Sequence, residues 1–159
     1  MDSLYIETSI VSHATAWPSS DVQIAAIQQQ AREWWAKERS KFDLVTSQLV
    51  ILEASAGDAT AAAERLRLLD GLPLVPITND AQDLAQSILS ASLMPQKAAA
   101  DALHVAVAAA AGVKYLLITD TELSPHCQCP RSPTGLSTAA IRRLRPVVNL
   151  HASGVPWRE

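Results

Sequence analysis

Short blocks of β-forming apolar residues alternate along the chain with longer blocks of helical spacing. The first block, Leu4–Ser9, predicts a buried strand followed by a polar loop. No glycine or proline interrupts the chain from Asp21 to Lys41, and apolar residues recur there at roughly helical intervals. This block predicts a long helix with Asp21 as its N-cap, and Leu44–Ser47 predicts a second strand.

The alternation continues through the following 70 or so residues. In order, the blocks predict a helix capped by Ser47 and carrying Glu53, a helix over Asp58–Leu69, a strand over Leu74–Ile77, a helix from Thr78 to Ser90, an alanine-rich helix ending at Gly112, and a strand over Val113–Thr119. Pro76 has no N–H donor for a sheet, so its strand should lie near an edge. Strands alternating with helices predict a parallel sheet covered by helices on both faces.

Length and composition narrow the class of protein. A chain of 159 residues is the size of one domain. With 48% apolar and 18% charged residues, the chain is too apolar to be intrinsically disordered. The formal net charge of −3 excludes a basic field over the whole protein, so any nucleic-acid chemistry must occur at a local site.

Cysteine usage and charge placement predict a soluble cytoplasmic protein. Cys127 and Cys129 are one residue apart, which does not allow a disulfide framework and fits a reducing compartment. No signal segment opens the sequence. The most apolar stretch, Ala98–Ile118, contains Asp101 and Lys114, which disfavours a membrane-spanning helix.

Four acidic residues occupy positions where chemistry is expected. Glu7 and Asp120 follow strands, whose carboxyl ends carry the sites of parallel sheets, whereas Glu53 and Asp101 lie on predicted helices. Mg²⁺ and Mn²⁺ prefer oxygen ligands and take a few carboxylates, leaving positions for water and phosphate. Clustered carboxylates repel one another without a cation, so a true cluster favours a metal site.

Each of these residues also has a purely structural interpretation. Glu7 could cap the end of a strand, and Asp101 could stabilise the N-terminus of a helix. His104 lies three residues after Asp101 and could orient it or a bound water, although a satisfied packing histidine is the favoured interpretation. Thr8 and Ser9 could donate hydrogen bonds to a phosphate or an acid, or could cap the strand.

The order of these motifs resembles a PIN-domain protein of the VapC-like toxin family. The motifs are the strand Tyr5–Ser9, the helix-borne Glu53, the segment Asp101–His104 and the strand Tyr115–Ile118. The resemblance covers Met1 to about Ile118, and its most specific part is Asp101–His104 with the alanine-rich helix and leucine-rich strand that follow. It implies a three-layer α/β/α fold with a short parallel sheet of about four to five strands.

The resemblance also implies a function. It implies a Mg²⁺- or Mn²⁺-dependent endoribonuclease that acts on RNA and is inhibited by a cognate antitoxin. We also expect the chain to form a homodimer. Glu7, Glu53 and Asp101 match the metal-holding acids, and Asp120 lies near the fourth position. The first acid of the family is usually Asp, so Glu7 places its carboxylate one methylene further out.

A binding module that keeps the PIN fold without catalysis is the alternative. Trp34 and Trp35 are adjacent on the predicted helix, and neighbouring helical residues point about 100° apart. One indole could therefore be exposed as an anchor for an antitoxin or a second copy of the chain. Burial of both rings at the edge of the core is the equally weighted interpretation.

The resemblance fails after the fourth strand. VapC-like chains continue there with Trp-Asn and then Cys-Arg-His-Ile-Ala-Asn-Ala. Permitted codons for Glu122–Pro130, read one nucleotide later, give Asn-Cys-Arg-His-Ile-Ala-Asn-Ala. The same offset at Asn149–Gly154 permits Ile-Cys-Thr-Pro-Ala-Glu, which resembles the family ending. The hypothesis is a shift of reading frame around Thr119–Thr121.

This hypothesis divides the chain at residue 120. Residues 1–120 should form the PIN-like domain, whereas Thr121–Glu159 should be a divergent and poorly packed tail with a short helix at Ser137–Leu144. The group His126–Cys129 then arises from the shift, and it offers too few separated ligands for a zinc site. Nuclease activity should be weak or absent.

Overall fold

The computed structural model describes residues 1–119 and the backbone of residues 140–143. The described strands form one sheet in the order β3-β2-β1-β4-β5. They are β1 (Asp2–Ile6), β2 (Phe42–Ser47), β3 (Leu74–Val75), β4 (Tyr115–Ile118) and β5 (Ala140–Arg143). Strands β1 to β4 are parallel, and β5 pairs with β4 in the antiparallel direction. The predicted α/β fold with a short parallel sheet is confirmed.

Helices connect the parallel strands and flank the sheet. They are α1 (Thr8–Thr15), α2 (Val22–Lys37), α3 (Gln48–Ala54), α4 (Ala59–Leu69), α5 (Asn79–Ser90) and α6 (Ala99–Ala110). Short 3₁₀ turns at Arg39–Lys41 and Gln96–Ala98 precede β2 and α6. Within the described part of the chain, no helix combines the length and apolarity that a membrane crossing requires.

Strand β1 lies at the centre of the sheet and of the core. Leu4 is in register with Leu44 on one side and Tyr115 on the other. Leu4, Tyr5 and Ile6 are fully buried because strands and helices cover them on every side. Strand β3 forms the opposite edge from β5, as Pro76 predicted.

Side-chain caps fix where several helices begin. The carboxylate of Asp21 accepts hydrogen bonds from the backbone N–H groups of Gln23 and Ile24, as predicted. Asp58 and Thr78 cap α4 and α5 in the same manner. Ser47 precedes α3 but makes no capping bond, because its hydroxyl group is bonded within the core.

The sequence interpretation missed α1. The predicted first strand extends to Ser9, but β1 ends at Ile6 and a helix begins at Thr8. The β-branched and hydroxyl residues of α1 have weak helix propensity, so the local sequence favours strand and loop. The side chain of Glu7 caps the helix, and burial of Ile10 and Val11 stabilises it. Packing therefore overrides local preference.

Both tryptophans of α2 are buried, so the interpretation that buries both rings is confirmed and the exposed aromatic anchor, its equally weighted alternative, is wrong. Trp34 is 6% exposed and Trp35 is 9% exposed. The Trp34 ring stacks on Phe42, with centroids 6.3 Å apart, and the Arg39 guanidinium lies 5.5 Å from the centroid of Trp35. Two different neighbours thus cover the two directions in which adjacent helical side chains point.

The short helix predicted at Ser137–Leu144 is also wrong over its central residues. Ala140–Arg143 forms β5, with Ile141 in register with Leu117. An unpaired edge of β4 would expose a row of N–H and C=O groups, and pairing with β5 satisfies them. The rest of the predicted tail, including His126–Cys129, lies outside the described residues.

Candidate metal centre

Two acids and a histidine meet at the carboxyl edge of the sheet. Glu7 follows the last residue of β1, and Glu53 lies on α3, the helix that follows β2. His104 reaches the same point from α6. One possible ligand atom from each of the three lies within 4.8 Å of the others, a spacing that can surround one cation. Parallel strands bring these side chains together because their carboxyl ends share one edge.

Glu7 is both the N-cap of α1 and a member of this group. Its side chain is buried, with 6% of the residue exposed. Its Oε2 accepts hydrogen bonds from the Ser9 backbone N–H at 2.9 Å and from the Ser9 hydroxyl. The Thr119 N–H donates to Ser9 Oγ at 3.0 Å, which connects this acid to the end of β4. Burial raises the pKa of Glu7, and the Ser9 hydroxyl offsets only part of that effect.

Glu53 lies in a more exposed and better stabilised setting. Its side chain is 31% exposed. Its Oε2 accepts a hydrogen bond from the Thr8 hydroxyl and lies 3.0 Å from Nε2 of His104. Burial acts to raise the pKa of Glu53, but hydrogen bonds from His104 and Thr8 outweigh it, and the net pKa is lowered. Glu53 is thus the acid that readily carries charge.

His104 is buried, with 1% exposed, and both ring nitrogens have partners. Nε2 contacts Glu53 and lies 3.8 Å from Oε1 of Glu7, whereas Nδ1 lies 3.0 Å from the Tyr5 hydroxyl. His104 is buried and satisfied, as the favoured interpretation expects, and one of its two partners is an acid of the candidate centre. The pattern related this residue to Asp101 or a water, but its ring faces the two glutamates.

The structure brings together two of the four acids that the sequence singled out. Glu7 and Glu53 lie in the group, and Asp101 lies outside it, partly buried in the first turn of α6. Asp120 falls outside the described residues. Of the alternatives for Thr8 and Ser9, donation to an acid is confirmed for both.

Sequence reasoning missed the polar residues beneath the acids. Tyr5 and Ser47 are fully buried, and their hydroxyl oxygens are 2.7 Å apart. The signal was present, because a tyrosine and a serine near the ends of two predicted strands are unusual in an apolar core. Burial raises the pKa of Tyr5 far above its ordinary value, so its hydroxyl group keeps its proton.

A comparison with models of protein families finds a match over most of the described part of the chain. The PIN domain model matches residues 4–125. The chain belongs to the PIN domain family. PIN domains are generally metal-dependent nucleases that act on RNA or DNA, and the group of Glu7, Glu53 and His104 is placed where such a centre is expected. No curated protein matches the chain, and no solved structure matches it either.

The donor set fits a divalent cation. Carboxylate oxygens are the ligands that Mg²⁺ and Mn²⁺ prefer in proteins. Among the described residues, the hydrogen bonds from Ser9, Thr8 and His104 fall on Oε2 of the two glutamates, and Oε1 of Glu7 lies 3.8 Å from Nε2 of His104. Oε1 of each glutamate can therefore accept a further ligand. A cation between two carboxylates would also relieve the unfavourable burial of a charged Glu7.

Proposed function

We propose that this PIN domain protein is a metal-dependent endoribonuclease, the VapC-like toxin of a toxin–antitoxin pair. Glu7 and Glu53 hold Mg²⁺ or Mn²⁺, with Asp101 as a third acid and Asp120 as a fourth. The observation that supports this proposal is the cluster of Glu7, Glu53 and His104 within 4.8 Å at the carboxyl edge of a PIN domain sheet. Asp101 lies in the first turn of α6, three residues before His104, which places both on one face of the helix.

The cation, when bound, supplies a water that is more acidic and neutralises charge that develops on the phosphate. The protein positions the acids for this chemistry. Ser9 holds Glu7 through its backbone N–H and its hydroxyl, and Thr8 holds Glu53 through its hydroxyl. Glu53 is the more exposed of the two glutamates, so we infer that RNA approaches from its side of the centre.

The direct test is RNA cleavage by the full chain with and without divalent cations. We expect weak cleavage of total RNA in Mg²⁺ or Mn²⁺, since the divergent tail should impair the activity, and we expect its loss both in EDTA and in Glu53→Gln. Glu33→Gln is the matched control, because Glu33 is an exposed glutamate on α2 that bonds Gln29. Cleavage that persists both in EDTA and in Glu53→Gln would overturn the proposal.

The toxin assignment needs a separate test in cells. Expression of the chain should arrest growth, and co-expression of the product of an adjacent small open reading frame should relieve the arrest and purify with the chain. A stable complex with that product, together with no cation-dependent cleavage by the free chain, would favour the inactive PIN-fold binding module. Cytoplasmic location and a homodimer belong to the same proposal.

A further inference from the structure

A buried chain of polar side chains lies behind Glu53. Ser47 Oγ and Tyr5 Oη are 2.7 Å apart, Tyr5 Oη and His104 Nδ1 are 3.0 Å apart, and His104 Nε2 and Glu53 Oε2 are 3.0 Å apart. We call Ser47, Tyr5 and His104 the polar relay. Its members come from three elements, β2, β1 and α6, and are at most 1% exposed.

The polar relay is an unusual use of the core. Polar groups removed from water destabilise a fold unless they are hydrogen-bonded, and apolar side chains of similar size would fill the same space without that requirement. Tyr5 belongs to the same core cluster as Leu4, Ile6 and Val50, which are apolar and fully buried. The relay reaches the surface at one of the proposed metal-binding acids, which points to a role at that acid.

The chemistry of the last link fixes the direction of the hydrogen bonds. An ionised carboxylate only accepts, so Nε2 of His104 must carry the proton that it shares with Glu53. In a neutral imidazole Nδ1 is then the acceptor, and the Tyr5 hydroxyl donates to it. In that tautomer the Tyr5 proton is directed at Nδ1, so Tyr5 Oη accepts from Ser47 Oγ. Every member of the relay thereby has its hydrogen-bonding roles assigned.

We propose that His104, supported by Tyr5 and Ser47, is a positioning residue that holds Oε2 of Glu53 and turns Oε1 toward the cation. This inference rests on the proposed function, since it assumes that Glu53 binds the metal. His104 acts through Glu53 and does not itself ligate. Outer partners that orient a metal ligand commonly change metal affinity about 10- to 100-fold when they are removed.

The geometry supports orientation over ligation. Nε2 of His104 lies closer to Oε2 of Glu53, at 3.0 Å, than to Oε1 of Glu7, at 3.8 Å. The Thr8 hydroxyl donates to the same Oε2, so two donors from different elements fix one oxygen of the carboxylate. Ligation by Nε2 would remove one of these two donors and leave Glu53 held by Thr8.

Two measurements on the full chain test the inference. Nitrogen-15 NMR of the metal-free protein reports which imidazole nitrogen of His104 is protonated, with the signal assigned by its loss in His104→Gln. Electron paramagnetic resonance of Mn²⁺ reports metal affinity and any nitrogen ligand. His104→Leu removes the hydrogen bonds of the ring to Tyr5 and to Glu53, whereas His104→Gln keeps an N–H donor. Tyr5→Phe removes the hydroxyl group that contacts Nδ1 of His104.

Thr46→Val is the matched control. Thr46 is a fully buried hydroxyl residue of β2 next to Ser47, and it donates to the Ile6 carbonyl outside the relay. Loss of this hydrogen bond in Thr46→Val should lower thermal stability without changing Mn²⁺ affinity. A change in affinity caused only by a weakened fold would therefore appear in this variant as well.

We expect a proton on Nε2 of His104 in the parent protein, and Mn²⁺ affinity lowered about 10- to 100-fold in His104→Leu. His104→Gln should restore most of the affinity, and Tyr5→Phe should lower it by an intermediate factor. A proton on Nδ1 alone, equal affinity in His104→Leu and the parent, or a nitrogen ligand on Mn²⁺ would overturn the inference.

Failure of the proposed function has a different signature. If the parent binds no Mn²⁺, the metal-dependent function fails, and the NMR signal still decides the relay. Glu53→Gln should then shift the Nε2–H resonance of His104, because that proton points at the replaced group. An unchanged resonance would overturn the inference.

Discussion

The Thr8 hydroxyl donates a hydrogen bond to the carboxylate of Glu53, 45 residues further along the chain. This bond joins the first turn of α1 to α3 at the edge where the candidate metal centre lies. Glu7, the residue before Thr8, caps the same helix. The start of α1 therefore orders both glutamates, and its formation is part of the formation of the site.

Removing the Thr8 hydroxyl should loosen Glu53. We expect Thr8→Val to lower the free energy of unfolding by about 1.5 to 3 kcal/mol, the range for a hydrogen bond to a charged group. Thr8→Ser should retain the donor and most of the stability. Urea denaturation of the two variants checks this, and equal losses in both would contradict a role for the hydrogen bond.

The raised pKa of Glu7 predicts how stability depends on pH. A folded-state pKa above the ordinary value means that Glu7 favours the fold when protonated, and this contribution is lost as pH rises through the folded-state pKa. In EDTA, Glu7→Gln should therefore gain thermal stability over the parent as pH rises. Melting curves from acid to neutral pH measure the difference, and a constant difference would contradict the prediction.

The stability contribution of Glu53 should depend on pH in the opposite direction to that of Glu7. Its lowered pKa means that the ionised form favours the fold, and this contribution is lost as pH falls through the folded-state pKa. Glu53→Gln should therefore be less stable than the parent at neutral pH, with the deficit shrinking in acid. The same pH trend in both variants would show that the assignment of charge to the two glutamates is wrong.

Asp101 can be tested separately as the third acid. We expect Asp101→Asn to lower cation-dependent RNA cleavage by at least about tenfold with a small change in melting temperature, because the proposed role is at the site. Asp83→Asn is the matched control, since Asp83 is an exposed aspartate on α5. Equal cleavage by the two variants would remove Asp101 from the proposal.

The frame-shift hypothesis is tested by restoring the upstream frame after Thr119. The family resemblance implies a further helix and an edge strand after the fourth strand, and since β5 already pairs with β4 in the present chain, the expected gain comes from the helix and the rim of the site. The restored chain should therefore melt at a higher temperature and cleave RNA faster than the present chain. The nucleotide sequence across codons Ile118–Leu123 gives an independent check, and unchanged stability and cleavage would contradict the hypothesis.

Most of the fold was predictable because its signals are local. Apolar spacing and the cap at Asp21 predicted α2, and the predicted starts at Asp58 and Thr78 lie one residue before the observed starts of α4 and α5. The start of α1 was not predictable, because its sequence resembles a strand and its stability comes from packing. The strand over Ala140–Arg143 depends likewise on its long-range pairing with β4.

The candidate site was predictable only in part. Glu7 was identified because an acid that closes an apolar strand is conspicuous in the sequence, and Glu53 because the family resemblance matches it to a metal-holding acid. The contact of His104 with Glu53 joins residues 51 positions apart, and nothing in local spacing encodes it. The polar relay likewise depends on the register of β1 and β2, which the structure alone provides.

The central claim is that Glu7 and Glu53 together hold one divalent cation. The most direct measurement is the titration of Mn²⁺ into the parent, Glu7→Gln, Glu53→Gln and the control Glu33→Gln, followed by electron paramagnetic resonance. The account predicts one site in the parent and in Glu33→Gln, and its loss in both of the other variants. Equal binding by all four proteins would contradict it.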